Sequence, residues 1–155
     1  MSIAPTLQKY LDRNVTYDVI THEPTMSSTH TAQACHISGN RLVKGIVLRR
    51  NGGYLLAVLP ASRHIQLENV ATEVGEPVEL AFENEIGALF GDCQRGAIPP
   101  LGDCYGLQTI VDDAIAEQPE IYFEAGDHAT LIRMDAAQFA ALTADAMHGR
   151  FSVRA

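Results

Sequence analysis

Apolar and polar positions repeat along this chain with two different periods, and the switches between them mark out its elements. Leu7, Tyr10 and Leu11 fall at the i, i+3, i+4 spacing of one helix face, which predicts a short amphipathic helix over 6–11. Residues 15–22 are rich in β-branched side chains and read as a strand that Pro24 would end. Ser27, Ser28 and Thr29 offer N-caps to a second helix reaching about Ile37 and stopping near Gly39-Asn40. The runs 41–50 and 54–60 flank Asn51-Gly52-Gly53, the pattern of a β-hairpin and the clearest local signal in the chain. Further helices are predicted at 67–74, at 83–90 with Ile86, Leu89 and Phe90 on one side, and at 136–144 behind Asp135 as cap. Strands are predicted at 77–81, 107–111, 120–124 and 129–134, and a glycine-rich, turn-rich stretch holding Pro99-Pro100 spans 91–106. The elements interleave without a βαβ rhythm. That order predicts an α+β fold: one domain over 1–155 with a mixed, curled sheet flanked by helices.

Composition narrows the picture. With 155 residues, 46% of them hydrophobic and 19% charged, the chain can bury one core and is not a disordered segment. Its longest apolar runs, such as 55–59, are too short to cross a bilayer, and polar Gln8-Lys9 stands where a signal core would lie. A cytoplasmic protein without a membrane partner is the expectation. A net charge of −8 argues against a generic nucleic-acid coat protein, since sequence-independent binding rests on many Lys and Arg contacts to phosphate. Three cysteines cannot all pair, and no Cys-x-x-Cys occurs, as expected in a reduced compartment.

Four features carry candidate chemistry. Lys44 lies within a predicted strand and shares a face with Leu42, Ile46 and Leu48, so its ammonium must meet an anion, carbonyls or a cleft, or else snorkel to water from an edge strand. The segment Gly96-Ala97-Ile98-Pro99-Pro100 can present backbone N–H groups to a carbonyl or anion, or can be an ordinary stiff connection. His128, after Gly126-Asp127, and His22, before Glu23-Pro24, are placed at strand ends where a histidine binds or shuttles a proton, or simply meets solvent. Cys104 is the best-placed thiol nucleophile, against the default of an inert buried cysteine. No histidine spacing suits a metal, and no Gly-x-Ser-x-Gly elbow is present.

In this order the motifs resemble the YbaK/ProXp group of free-standing aminoacyl-tRNA deacylases, related to the editing domain inserted in bacterial prolyl-tRNA synthetases. His22-Glu23-Pro24 looks like the family's His-x-Pro, 31–37 like its second helix, and Val43-Lys44-Gly45-Ile46 like its lysine strand. Gly96-Ala97-Ile98-Pro99-Pro100 is similar to its Gly-x-x-x-Pro loop, and Gly126-Asp127-His128 to its late Gly-then-His turn. The resemblance implies hydrolysis of the ester joining an amino acid to the 3′ end of tRNA, with no metal or organic cofactor. It implies Lys44 as cationic anchor, and backbone N–H groups of Gly96, Ala97 and Ile98 as donors to the carbonyl or oxyanion. His22, Gly45, Pro99, Pro100 and His128 would contact the substrate, His128 by limiting the amino-acid pocket. A tRNA-Pro bearing a small amino acid, alanine first, is the implied substrate. The family usually has Thr, Ser or Asn where Gly45 stands, so a side-chain hydrogen bond is lost there and room is expected. At this net charge, tRNA binding is expected to rest either on a small positive face of Arg49, Arg50 and Arg63 around Lys44, weakening in salt, or on a partner such as a synthetase that delivers the tRNA. DNA is not an expected partner. The alternative reading is a non-catalytic module that binds an aminoacyl or nucleotide group and partners a synthetase.

Overall fold

The hairpin expected around Asn51-Gly52 forms the centre of the sheet. In the computed structural model, which describes residues 3–23 and 28–154, β2 (Leu42–Arg50) and β3 (Gly53–Pro60) pair antiparallel from Val43↔Pro60 to Arg50↔Gly53. Gly52 turns the chain at φ +77°, where a Cβ would strain the backbone. Around this pair the sheet runs from β1 (Asp18–Thr21) through β8 (Thr130–Asp135) and β7 (Glu120–Glu124) to β2 and β3. It then continues to β6 (Gln108–Asp112) and β9 (Met147–Gly149). The β2–β7, β3–β6 and β6–β9 pairs are parallel and β1–β8 and β7–β8 antiparallel, so the sheet is mixed as expected.

The helices are α1 (Pro5–Asn14), α2 (Ser28–Ala34), α3 (Leu67–Val74), α4 (Glu83–Leu89) and α5 (Ala136–Leu142). The bounds of α3 match the apolar period, and Gly75 closes it in the left-handed conformation at φ +78°. Pro24 and Ser27, expected to end the first strand and cap the second helix, lie outside the described residues. Asp135 precedes α5 in extended backbone but makes no side-chain cap; its carboxylate accepts from Arg133 Nη2 at 3.1 Å instead. Unforeseen was a separate two-stranded ribbon of β4 (Arg63–Ile65) and β10 (Ser152–Arg154).

Side-chain alternation divides the core. Val43, Val47, Leu56 and Val58 face one side and pack with Leu7 and Leu11 of α1, Phe123 of β7 and Phe139 of α5. The opposite face carries two smaller clusters, one of Leu48, Leu55, Ala57 and Leu59 under Val70 of α3, the other of Leu42, Leu131 and Ala32. Each fully buried Leu or Phe stabilises the fold by roughly 1.5–3 kcal/mol relative to exposure. Lys44 lies on this second face, between Leu42 of one cluster and Leu48 of the other.

One irregularity of the sheet positions everything that follows. On its side away from β3, β2 changes partner along its length. Leu42 and Val43 pair with Tyr122 and Phe123 of β7, whereas Leu48 and Arg49 pair with β5 (Glu79–Leu80). Between the two the sheet is split. Arg41 O accepts from Tyr122 N at 2.8 Å, and Val47 O from Ala81 N at 3.0 Å. Because successive residues of a strand direct their amides to opposite sides, the N–H and C=O of Gly45 point into the split.

Candidate active site

A cavity of about 320 Å³ opens at the split. Lys44 and Gly45 form one wall, Ala81 and Ile86 another, and Gly96, Ile98 and Glu124 complete it. Of the nine residues expected at the site, four reach this cavity: Lys44, Gly45, Gly96 and Ile98. The others support it or lie beside it.

Lys44 is half-buried, and its Nζ donates to Arg63 O at 3.0 Å and Ala61 O at 3.5 Å. Burial pushes its pKa below the ordinary lysine value. No carboxylate among the described residues lies within ion-pair distance of it. Two carbonyls hold two of its three protons, which leaves a fixed cation with bonding capacity toward an incoming group.

The Gly96 loop divides its amides in two. Ala97 N–H is spent on Gln94 O at 3.1 Å, and its side chain is wholly buried, which corrects the expectation that Ala97 donates to substrate. Gly96 and Ile98, on either side of it, give their N–H groups to no acceptor among the described residues. Gly96 holds φ +81°, so the loop turns through a conformation suited to glycine. Pro99 and Pro100 are buried behind the loop and serve as packing.

Gly45 is where that packing meets β2. A Cβ there would stand 3.0 Å from Leu56 Cδ1 and 3.4 Å from Pro100 Cα. The space expected from the missing side chain is therefore already filled by Leu56 and the proline loop. The short residue lets the backbones of the loop and strand approach closely.

His128 stands behind the loop rather than in the cavity, a correction to its expected role in sizing the amino-acid pocket. It is 6% exposed and adopts φ +62°; Nε2 donates to the carbonyl of Arg95. A Cβ on Gly96 would lie 3.2 Å from His128 Cε1. A second bond, Gln94 N to Gly126 O at 2.7 Å, ties the same two turns together. Asp127 rigidifies its turn by accepting from Ala129 N and Thr130 Oγ1, both at 3.0 Å. His22 lines a separate cavity with Cys35 and Tyr122, and its Nε2 is 3.9 Å from Glu124 Oε1.

Glu124 escaped the sequence reading. It ends β7 at 7% exposure, with Oε1 accepting from Thr31 Oγ1 at 2.9 Å and Oε2 buried without a hydrogen-bond partner among the described residues. Burial raises its pKa, against the opposing effects of Thr31 and His22. The alternation in 120–124 groups Glu120, Tyr122 and Glu124 on one polar-looking face, which reads as solvent-facing. Only the fold shows that the far end of that face is covered. Also unforeseen is Phe82, 60% exposed beside the cavity wall, with the Arg49 guanidinium 4.7 Å from its ring centroid.

The expected positive face does not form. Arg49 pairs with Glu79, Arg50 Nε with Glu76 at 2.7 Å, and Arg63 Nε donates to Ser152 Oγ at 2.7 Å. Cys104 does not line the cavity; burial pushes its thiol up to about 12, which removes it as a nucleophile near neutrality. Among the described residues no group of His, Cys, Asp or Glu could hold a metal ion, and no helix is long and apolar enough to cross a membrane.

The sequence pattern of the aminoacyl-tRNA editing domain matches residues 22–142. No curated protein sequence matches the chain. Among solved structures, one titled "Crystal structure of a putative trans-editing enzyme for prolyl tRNA synthetase" superposes with a TM-score of 0.85 at 23% identity, covering 98% of this chain and 99% of its own. The hypothetical protein APE2540 superposes with a TM-score of 0.85 at 20% identity, covering 96% and 99% respectively. At these identities the likeness establishes the fold.

Proposed function

Because this chain belongs to the aminoacyl-tRNA editing domain family, we propose that it hydrolyses the ester of mischarged aminoacyl-tRNA, with tRNA-Pro carrying a small amino acid such as alanine as its substrate. The observation that carries the reading is the company kept by Lys44. A half-buried cation without a carboxylate partner lines the same cavity as the unspent N–H groups of Gly96 and Ile98.

An aminoacyl ester is already activated, so the site need only orient it and stabilise charge on the carbonyl oxygen as a nucleophile adds. The amides of Gly96 and Ile98 suit that oxygen, because loop packing sets their direction before substrate arrives. Lys44 anchors the terminal sugar-phosphate or the carbonyl side of the ester. The attacking water adds to the ester carbon, and the ribose oxygen leaves as a hydroxyl. The vicinal hydroxyl of that ribose is adjacent to the reacting ester and serves as a proton carrier, so no protein nucleophile is required. Phe82 offers an exposed aromatic face, backed by Arg49, on which the terminal base can stack. With Arg49, Arg50 and Arg63 engaged internally, a synthetase that delivers the tRNA supplies the remaining affinity.

The test is incubation of the purified protein with tRNAs mischarged with alanine, serine, threonine or cysteine, beside a Lys44→Ala control. Release of one amino acid by the wild type and not by the variant supports the reading. Binding without hydrolysis of any of them would replace it with the non-catalytic module.

A further inference from the structure

The deacylase reading leaves Glu124 unused. This carboxyl lines the cavity that holds Lys44, is 93% buried on its 7% exposure, and has Oε2 without a hydrogen-bond partner among the described residues. Burying a carboxylate with one hydroxyl donor is costly, and the cost persists unless a cation or further donors arrive. Among the described residues, the groups that face it supply them only in part. Thr31 gives one hydrogen bond to Oε1 at 2.9 Å, and His22 Nε2 stands 3.9 Å from that same oxygen, at the outer edge of ion-pair distance and beyond hydrogen-bond reach, so neither bonds Oε2. His128, from the following turn, is committed to Arg95 O, and Asp127 adds only like charge. Lys44 is turned to the carbonyls of Ala61 and Arg63. The C=O of Gly45 also points into the split, so a second acceptor faces the same space.

An aminoacyl ester carries one cation close to its reacting carbon, the α-ammonium. It differs in this from the peptidyl, N-blocked and α-hydroxy esters that share its carbonyl and ribose. Resting on the deacylase reading, we propose that Glu124 is the residue that receives the substrate's α-ammonium. It thereby orients the carbonyl toward Gly96 and Ile98, and restricts the site to esters with a free amino group. The ammonium brings a full positive charge to Oε2, which no described group bonds, and a charge-assisted bond to a buried carboxylate is the strong kind.

The test compares two substrates on the same tRNA. One is whichever of the alanyl, seryl, threonyl or cysteinyl forms the wild type hydrolyses fastest; the other is its α-hydroxy counterpart, in which a hydroxyl replaces the ammonium without added bulk. The wild type is expected to prefer the amino form by about tenfold or more in kcat/KM, the scale of one charge-assisted hydrogen bond. Glu124→Gln, nearly isosteric, is expected to raise KM for the amino form and bring the two substrates to near parity. A wild type that hydrolyses both equally overturns the inference while leaving the deacylase reading intact, and this arm needs no variant to fold. A folded Glu124→Gln protein that keeps the full preference overturns it too. If the wild type hydrolyses none of the esters, the deacylase reading itself falls.

Discussion

His128 donates from Nε2 to the carbonyl of Arg95, so a residue late in the chain fixes the loop that presents Gly96 and Ile98 to the cavity. The relationship makes His128 a positioning residue, and its removal has a definite signature. His128→Ala loses the bond and leaves alanine at φ +62°, with an expected destabilisation of about 1–3 kcal/mol and a fall in kcat of roughly 10- to 100-fold. Glutamine, whose amide nitrogen overlays the position of Nε2, can donate to the same carbonyl, so His128→Gln should recover part of kcat. Steady-state kinetics with melting temperatures decide the matter; a raised KM with unchanged kcat would show direct contact with substrate instead.

Lys44→Ala should keep the fold, because the residue's protons meet only two carbonyls, and should lower kcat/KM by about 100-fold or more, the scale of one oriented charge stabiliser. Because burial lowers its pKa, a lysine-dependent activity should decline on the alkaline side earlier than an ordinary lysine would dictate. A pH–rate profile, corrected for spontaneous ester hydrolysis, checks this. A Lys44→Ala enzyme with full activity would remove Lys44 from the mechanism.

A side chain at position 45 should be a steric intrusion. Gly45→Ser places a Cβ 3.0 Å from Leu56 Cδ1 and 3.4 Å from Pro100 Cα, with an expected cost of about 1–3 kcal/mol and a displaced proline loop. Leu56→Val removes the methyl that is met first, so the double variant should be less destabilised than the sum of the singles. Denaturant midpoints for the four proteins of this cycle measure the coupling; strict additivity would mean that the two groups do not compete for space.

Glu124 should make the wild type less stable at neutral pH. Its folded-state pKa is raised above the ordinary value of 4.5, so its protonated form favours the fold. Stability from this group is complete below 4.5 and is lost as pH rises through the folded value. Glu124→Gln does not titrate and should melt higher than wild type at pH 7, with the difference shrinking as the pH falls toward 4.5. Thermal melts across that window test it; a variant less stable at every pH would show that the carboxylate is satisfied in the fold.

Cys104 should be dispensable. With its thiol pushed up to about 12, it should resist iodoacetamide at pH 7, and Cys104→Ser should retain deacylation. Loss of activity on modification of this residue alone would reopen a cysteine mechanism.

What the sequence made legible was what depends on local pattern. The Asn51-Gly52 hairpin, α3, and the strand at 120–124 follow from periods and turn residues within a few positions of each other. Lys44 stood out because its strand neighbours are apolar, and the structure places it between two apolar clusters. The ribbon of β4 and β10 was not legible, since three-residue strands distant in sequence leave no periodic trace. Nor was the division of labour within the Gly96 loop, where Ala97 turns inward and its neighbours do not. Glu124 was hidden for a third reason. A carboxylate at a strand end looks solvated until the covering residues, here Thr31 of α2 and His22, are brought to it by the fold.

The split in the sheet should also leave a mark in amide hydrogen exchange. Within the hairpin, the amides of Lys44 and Ile46 point to β3, while that of Gly45 opens toward the cavity. Gly45 should therefore exchange rapidly between two slow neighbours, within a strand that pairs with β3 from Val43 to Arg50. A substrate bound in the cavity should cover that single amide, so its protection would report occupancy of the site without any chemistry taking place.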